Sequence, residues 1–260
     1  MKPDRSIDVW LVDDESTDPR LHDEYRRLLT PEERAQERRF HFARDQRRYL
    51  VTRALVRTVL SRYLDVEPAD WRFAPDHYGR PWIVNGGHEH RGLCFNISHT
   101  QGLIAVGITW QRELGVDVEH LRARQVSLEI ADRFFAGSEA AELATLPPER
   151  QQERFFEYWT FKEAYIKARG AGLSIPLEQF SFDYPHERAV RIAIQPQLRD
   201  DAGRWHFWQL RPTADHLLAV CAERRHGAAP ALTIRRTIPL VSEEVVAARV
   251  FRTSDAECAA

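Results

Sequence analysis

A single carboxylate, that of Glu163, interrupts an apolar face of a predicted helix in the segment EYWTFKEAYIKARGAGLS (157–174). At about 100° per residue, Trp159 and Ile166 lie on the same arc as Glu163, and Lys167 follows it by one turn. A buried charge needs a partner or a metal ion, because desolvation makes an unpaired charge costly. Two interpretations follow: Glu163 forms an i,i+4 ion pair with Lys167, or Glu163 is a metal ligand.

The segment GVDVE (115–119) supplies two more carboxylates on one side of a predicted strand. Because alternate side chains of a strand share a face, Asp117 and Glu119 point one way and the intervening valine points the other. Paired acids are common on solvated strands, so this pattern alone favours an exposed surface. Together with Glu163, however, the carboxylates form the oxygen ligand set that Mg²⁺ prefers, with positions left for water and substrate phosphate.

A third polar cluster closes the predicted strand LCFNISHT (93–100), where Ser98 and His99 are adjacent. A lone histidine is more often structural than functional, and no acid at a set spacing indicates a Ser-His-Asp hydrolase. The sequence also lacks the GxSxG, P-loop and GxGxxG patterns. A hydroxyl, an imidazole and nearby arginines would instead suit a phosphate group.

The elements that must position these groups begin with a predicted strand over 7–12 and a helix opened by a capping box, with Thr30 at the N-cap and Glu33 at N3. A longer helix is predicted over 45–64. This region is rich in arginine, which favours a solvated face with a phosphate contact from one or two guanidinium groups. A nucleic-acid-binding surface is the competing interpretation, which the acids elsewhere in the chain and the apolar face of this helix weaken.

The rest of the chain alternates between predicted strands and helices. A turn is predicted at 78–81, a β-hairpin from 103–109 and 114–119, helices at 127–135 and 138–145, and an antiparallel meander over FSFDY, VRIAIQP, WHFWQLRP and HLLAVCAE. Residues 224–232 are expected to be a linker, followed by a strand and by a short helix opened by Ser242. We therefore predict an α+β fold, that is, a chain in which α-helices and β-strands are mixed (mixed α/β).

Composition is that of an ordinary globular protein. The 260 residues are 43% hydrophobic with a formal net charge of -2, which suits one large domain or two modest ones. Cys94, Cys221 and Cys258 are too scattered for a disulfide framework or a zinc site. The acidic N-terminal segment does not resemble a signal peptide, and no apolar run is long enough for a membrane span. A soluble, cytoplasmic protein is expected.

These motifs, in this order, resemble the 4′-phosphopantetheinyl transferases of the Sfp type. The resemblance rests on YGRP at 78, FNISHT at 95, GVDVE at 115 and WTFKEAYIKARGAGLSIPL at 159, and it covers about residues 5–222. It implies a monomer of two similar α/β subdomains related by a pseudo-twofold axis. The expected divisions are residues 1–113, residues 114–223 and a C-terminal extension of unknown role over 224–260.

The activity implied by the resemblance is transfer of the phosphopantetheine arm of coenzyme A to a serine of an apo acyl or peptidyl carrier protein, with release of adenosine 3′,5′-bisphosphate. The carrier proteins expected are those of nonribosomal peptide or polyketide synthesis. The implied cofactor is Mg²⁺, held by Asp117, Glu119 and Glu163 on the pyrophosphate. Glu163, or a metal-bound water, would take the serine proton, Lys167 would reach the pyrophosphate, and Lys162 matches the family's Lys-Glu pair. The residues that the resemblance assigns to coenzyme A are Arg48, Tyr78, Gly79, Arg80, Ser98, His99 and Lys167.

Two positions depart from the family pattern, which often has lysine where Ala43 and Arg80 stand. Arg80 keeps a positive charge for a phosphate contact, whereas Ala43 cannot make one, and Arg44 is next to Ala43.

Two other classes of function stay open. One is a coenzyme A or carrier-protein binding module without catalysis, against which the complete carboxylate set and Lys167 argue. The other is a nucleic-acid-binding protein, which rests on the arginine-rich helix alone.

Overall fold

The computed structural model describes residues 6–85, 92–225, 228–247 and 249–254. Within these ranges the α-helices are α1 (His22–Leu28), α2 (Pro31–Glu37), α3 (Ala43–Leu60), α4 (Leu128–Phe134), α5 (Gly137–Thr145) and α6 (Pro148–Arg169). The β-strands are β1 (Ser6–Val12), β2 (Phe73–Pro75), β3 (Pro81–Ile83), β4 (Leu93–Thr100), β5 (Leu103–Trp110), β6 (Leu114–His120), β7 (Phe180–Asp183), β8 (Arg191–Ile194), β9 (Trp205–Leu210), β10 (His216–Glu223), β11 (Ala231–Ile238), β12 (Ser242–Val246) and β13 (Val250–Thr253). No helix in the described ranges is long and apolar enough to cross a membrane. The predicted α+β fold is confirmed.

The first sheet has the strand order β12-β11-β1-β5-β4. Its central strand β1 is parallel to β11 and antiparallel to β5. Ile7 and Val9 face one core, and Trp10 and Val12 face another. Because both faces are buried, the sequence of β1 is almost continuously apolar. The helix α3 packs against the side that carries Trp10.

The second sheet has the order β13-β9-β10-β6. In β10, Leu217 and Ala219 face the core formed with α6, whereas Leu218 and Val220 face the first sheet. The two sheets therefore pack face to face, with α3 outside one and α6 outside the other. Residues 1–113 contribute β1, β4, β5 and the long helix α3, whereas residues 114–223 contribute β6, β9, β10 and the long helix α6. The divisions near residues 113 and 223 are a proposal.

The sheets meet along β4 and β6, where side chains replace backbone pairing. Asn96 Oδ1 accepts a hydrogen bond from the backbone N–H of Val116 at 2.9 Å, and Ser98 Oγ accepts one from Val118 at 3.1 Å. Thr100 Oγ1 repeats the pattern at 3.3 Å with the last residue of β6. Every second side chain of β4 thus satisfies a backbone donor of β6, which holds the two strands in a single register.

The local predictions for four helices, α2 to α5, agree with the structure. The capping box of α2 is present, since Glu33 N donates to the Thr30 hydroxyl and the Thr30 N–H donates to the Glu33 carboxylate. The predicted helices over 45–64, 127–135 and 138–145 correspond to α3, α4 and α5. These signals lie within a few residues of one another, so they do not depend on how the chain folds at long range.

The predicted hairpin between 103–109 and 114–119 is wrong. β5 pairs with β4 and β1, whereas β6 pairs with β10 in the other sheet. The chain leaves β5 through a bend in which Gln111 has a φ of 48°. A short polar connection permits a strand to fold back on its neighbour or to enter another sheet, and the residues in the connection do not distinguish the two.

Two predictions for the C-terminal part are also wrong. The segment that starts at Ser242 is the strand β12, paired with β11, and not a helix. The predicted meander is two separate hairpins, β7–β8 and β9–β10. Residues 226–227 of the predicted linker lie outside the described residues. The C-terminal extension supplies β11 and β12 to the first sheet and β13 to the second, because an edge strand gains hydrogen bonds by accepting a neighbour.

Candidate active site

A cleft of about 470 Å³ opens beside the junction of β4 and β6. It is lined by residues from five elements, α3, β3, β4, β6 and α6, and by Phe40 before α3. The residues singled out from the sequence that line it are Arg48, Ser98, His99, Asp117, Glu119 and Lys167. The cleft also has lining residues that the sequence reasoning did not assign to the site, among them Tyr49, Thr52 and Arg53 on α3. The i,i+4 spacing of Arg48 and Thr52 on α3 is a local signal that could have indicated Thr52.

Asp117 is the most enclosed carboxylate of this cleft, with a relative exposure of 5%. Its Oδ1 accepts hydrogen bonds from the Ser98 hydroxyl at 2.9 Å and from the Lys167 ammonium at 2.6 Å. Its Oδ2 is buried without a hydrogen-bond partner. A buried carboxylate oxygen in this state carries a desolvation cost that a cation would relieve.

Glu119 lies on the same face of β6, two residues further along, and is half-buried. Its Oε1 accepts hydrogen bonds from Trp159 Nε1 at 3.1 Å and from Arg124 at 3.3 Å. Burial, and then the neighbouring charge of Asp117, raise the pKa of Glu119 to about 7. The carboxyl is therefore poised to ionise when a positive charge approaches.

Glu163 is half-buried and lines an adjoining pocket of about 280 Å³, not the cleft itself. Burial and the charge of Asp117 raise the pKa of Glu163, and Lys167 opposes the shift. Lys167 lines both the cleft and this pocket and directs its ammonium to Asp117. The i,i+4 geometry on α6 thus does not make Glu163 the hydrogen-bonded partner of Lys167.

The carboxylates of Asp117, Glu119 and Glu163 offer the oxygen donors that a hard metal ion takes. Among the described residues, no three carboxylate, histidine or cysteine groups are assembled closely enough to hold a metal ion. The donor chemistry nevertheless fits a hard cation, because Asp117 has an orphaned oxygen and because burial, together with the charge of Asp117, raises the pKa values of Glu119 and Glu163.

Gly115 explains why the carboxylate strand and α6 come so close. A Cβ at this position would lie 2.0 Å from the carbonyl oxygen of Ala164 and 2.5 Å from the backbone nitrogen of Ala168. Only a residue without a side chain allows this contact. The helix therefore rests directly on β6, which places Lys167 beside Asp117.

The cleft also has basic lining residues. Arg48 is on α3, and His99 is the last residue but one of β4. Withdrawal from solvent along the cleft wall, together with the charge of Arg48, lowers the pKa of His99. An anionic ligand would be attracted by the guanidinium of Arg48, and its negative charge would favour protonation of the neighbouring imidazole.

Ser98 differs from the expectation that it holds phosphate. It has a relative exposure of 6%. Its hydroxyl donates to Asp117, and it accepts from Val118 N at 3.1 Å and from Lys167 Nζ at 3.1 Å. All three hydrogen bonds are to protein groups, so the Ser98 hydroxyl holds the side chains of Asp117 and Lys167 in place.

The turn residues lie in the adjoining pocket. Tyr78 has a relative exposure of 53%, and Gly79 has a φ of 84°, a conformation that glycine adopts readily. Arg80 donates from Nη1 to the carbonyl of Lys167 at 3.1 Å and from Nη2 to those of Phe95 and Leu114, each at 3.3 Å. Arg80 therefore joins α6 to β4 and β6, and helps to close the C-terminal end of α6.

Lys162 is not brought to the cleft. It is fully buried, pairs with Glu139 at 2.7 Å, and donates to the carbonyls of Leu177 and Phe180 at 2.9 and 2.8 Å. The buried lysine thus ties α6 to α5 and to the start of β7. Because its ammonium is fully buried on protein partners, Lys162 has no contact with the cleft, and the structure does not support the catalytic role expected of it. Glu139 was missed from the sequence, because nothing local identifies its distant partner.

Comparison with known proteins places these features in a family. A family model described as "4′-phosphopantetheinyl transferase superfamily" matches residues 113–221, and one described as "4′-phosphopantetheinyl transferase, N-terminal" matches residues 18–109. The 4′-phosphopantetheinyl transferase HetI of Nostoc sp. is 33% identical over 217 residues, which are 82% of this chain and 86% of that protein. The 4′-phosphopantetheinyl transferase Sfp of Bacillus subtilis is 33% identical over 195 residues, 75% of this chain and 82% of the Bacillus protein.

Among solved structures, the holo-[acyl-carrier-protein] synthase of Thermotoga maritima is 21% identical, with a TM-score of 0.35 over 44% of this chain and 64% of that chain. That likeness is too distant to define the fold. The similarity to HetI, by contrast, spans most of both chains and includes the carboxylate strand and the helix that carries Lys167. The chain belongs to the 4′-phosphopantetheinyl transferase superfamily.

Proposed function

We propose that the protein transfers the 4′-phosphopantetheine group of coenzyme A to a serine of an apo acyl or peptidyl carrier protein. The observation that carries the proposal is that one cleft is lined by both kinds of charged or polar group, with Asp117 and Glu119 on β6, Arg48 on α3 and His99 on β4. Coenzyme A has a pyrophosphate and a separate 3′-phosphate. A cleft that offers carboxylates, a guanidinium and an imidazole next to Lys167 suits both groups.

In the proposed reaction the serine oxygen attacks the phosphorus that bears the pantetheine. A new P–O bond forms, the bond from that phosphorus to the bridging oxygen of the pyrophosphate breaks, and adenosine 3′,5′-bisphosphate leaves with the electron pair. Phosphoryl transfer is catalysed mainly by positioning and by stabilisation of charge on the phosphate oxygens. Lys167, which lines both the cleft and the adjoining pocket, would hold the pyrophosphate as that charge moves.

Glu163 is the proposed acceptor of the serine proton. Burial and the field of Asp117 raise its pKa, which brings the carboxylate closer to the pH at which a general base is most effective. Its place in the pocket next to Lys167 supports this role, because the proton is released where the new bond forms.

Mg²⁺ is the proposed cofactor, with Asp117, Glu119 and Glu163 as the residues that would hold it. Bound there, it would neutralise charge on the pyrophosphate oxygens. The support from this chain is the orphaned Oδ2 of Asp117 and the raised pKa of Glu119. Service to nonribosomal peptide or polyketide synthases, a monomeric state and a cytoplasmic location are further proposals that rest on the resemblance of the motifs.

Mass spectrometry of an apo carrier protein, after incubation with this protein, coenzyme A and Mg²⁺, tests the proposal. The carrier should gain the mass of one phosphopantetheine in Mg²⁺ and not in EDTA. Glu163→Gln should fold and yet transfer several orders of magnitude more slowly, whereas the exposed Glu149→Gln at the start of the same helix is the matched control. Binding of coenzyme A without any change in carrier mass would identify a binding module instead. Retention on DNA that falls steeply with salt would favour a nucleic-acid surface.

A further inference from the structure

Asp14 is a buried carboxylate without hydrogen bonds, located just after β1. Its relative exposure is 0%, and neither of its carboxylate oxygens has a hydrogen-bond partner. It is absent from the lining of the cleft and of the adjoining pocket. A carboxylate in this state is costly unless a nearby charge compensates it, so its surroundings indicate what it does.

The nearest compensating charge is Arg48, whose Nε lies 3.5 Å from Asp14 Oδ2. This Nε is itself buried without a hydrogen bond. The Nη1 of the same guanidinium lies 4.0 Å from Asp45, which lines the cleft. Arg48 therefore spans from a buried carboxylate to the cleft, with its Nε edge toward Asp14 and its outer edge toward the opening.

The electrostatic surroundings of Asp14 also favour its interaction with Arg48. Burial raises the pKa of Asp14, and the charges of Arg48 and Arg47 oppose that rise. When ionised, Asp14 holds the guanidinium of Arg48 by charge. The exposed fraction of the Arg48 side chain is 18%, so the guanidinium has only limited access to solvent as an alternative partner.

We propose that Asp14 is a positioning residue, which fixes the guanidinium of Arg48 in the wall of the cleft so that its outer edge meets a phosphate group of the substrate. An arginine held in place loses less side-chain freedom when it binds an anion, because its fork is already oriented. The identity of that phosphate, the 3′-phosphate of coenzyme A, rests on the proposed function. If Asp14 instead competed with the phosphate for Arg48, removing the charge of Asp14 would strengthen the binding of coenzyme A.

The test measures the dissociation constant of coenzyme A by calorimetry, and its KM and kcat in carrier loading. Asp14→Asn is expected to weaken coenzyme A by about fivefold to tenfold, the effect of ordering one long side chain, and to raise KM while kcat stays near the parental value. Asp13→Asn, which removes an adjacent exposed charge that does not pair with Arg48, should bind as the parent does. In an Arg48→Ala background, Asp14→Asn should have no further effect.

Three results would overturn the positioning role: parental or tighter affinity in Asp14→Asn, an equal loss in the Arg48→Ala background, or a fall in kcat alone. If Asp14→Asn does not fold, Asp14→Glu replaces it, because glutamate keeps the charge but moves the carboxylate by one methylene group relative to Arg48 Nε. It should weaken coenzyme A in the parent and have no further effect in the Arg48→Ala background, and parental affinity would again overturn the role. A parent protein that binds coenzyme A but loads no carrier contradicts the proposed transfer and leaves the calorimetric comparison decisive. A parent that binds no coenzyme A overturns both.

Discussion

The ammonium of Lys167 on α6 lies 2.6 Å from Oδ1 of Asp117 on β6. The contact joins the two motifs that stand some fifty residues apart in the chain, and Gly115 makes it possible by letting α6 rest on the strand. The two partners differ in exposure, since the side chain of Asp117 is 7% exposed and that of Lys167 is 26% exposed.

This difference predicts unequal costs for removing either partner. Lys167→Ala leaves a buried carboxylate uncompensated and should lower the free energy of unfolding by about 3 kcal/mol. Asp117→Asn leaves an ammonium that water can reach and should cost about 1 kcal/mol or less. Urea unfolding in EDTA measures both. Equal losses would show that Lys167 is not the main compensating charge for the buried carboxylate of Asp117. If Mg²⁺ restores the stability of Lys167→Ala, the result would support a cation at Asp117.

Gly115→Ala should separate α6 from β6. The added Cβ would meet backbone atoms of α6, which cannot rotate away as a side chain can, so we expect a loss of about 3 kcal/mol. Transfer should fall as well, because Lys167 would move away from Asp117. Gly137→Ala is the control, since a Cβ there meets nothing within 4 Å at the first position of α5. Parental stability in Gly115→Ala would contradict the close contact.

The raised pKa of Glu119 predicts a pH dependence of stability in the metal-free protein. The folded carboxyl holds its proton up to about pH 7, whereas the ordinary value is 4.5. The stabilisation from protonated Glu119 is therefore fully present below pH 4.5 and is lost as pH rises through about 7. At about 1.4 kcal/mol for each pH unit, the loss approaches about 3 kcal/mol.

Glu119→Gln should remove this loss, so that its advantage over the parent grows between pH 4.5 and about pH 7. Denaturation in EDTA across this range measures the difference. Glu113→Gln, at an exposed glutamate just before β6, should follow the curve of the parent. A constant difference between Glu119→Gln and the parent would contradict the assignment.

His99→Ala should weaken coenzyme A more than dephospho-coenzyme A. Only the former has the 3′-phosphate that His99 and Arg48 are proposed to hold, and a lost charge-assisted hydrogen bond is worth about 1.5 to 3 kcal/mol, or roughly tenfold to hundredfold. Ser98→Ala is the informative contrast. Because the Ser98 hydroxyl is bonded to Asp117 and Val118, its loss should affect both ligands alike. Equal weakening of both ligands by His99→Ala would place the 3′-phosphate elsewhere.

The sequence by itself determined the features that depend on neighbours in the chain. The capping box of Thr30 and Glu33 is present as predicted, since the two residues need only three positions of helix to meet. The alternation in β6 put Asp117 and Glu119 on one face, which the structure turns into the cleft. The same local logic failed at Ser242, where acidic residues typical of a helix start lie in a strand, because pairing with β11 outweighs a weak propensity.

Tertiary structure alone decided which charges meet. Helical spacing predicted Glu163 as a partner of Lys167, whereas the close approach of α6 to β6 places the Lys167 ammonium beside Asp117. The apolar pattern could not show that Lys162 pairs with Glu139, or that Asp14 lies behind Arg48, because each pair joins segments far apart in the chain. Periodicity sets the face on which a side chain lies. The partner of a buried charge, and the sheet that a strand such as β6 joins, depend on contacts that form only when the whole chain packs.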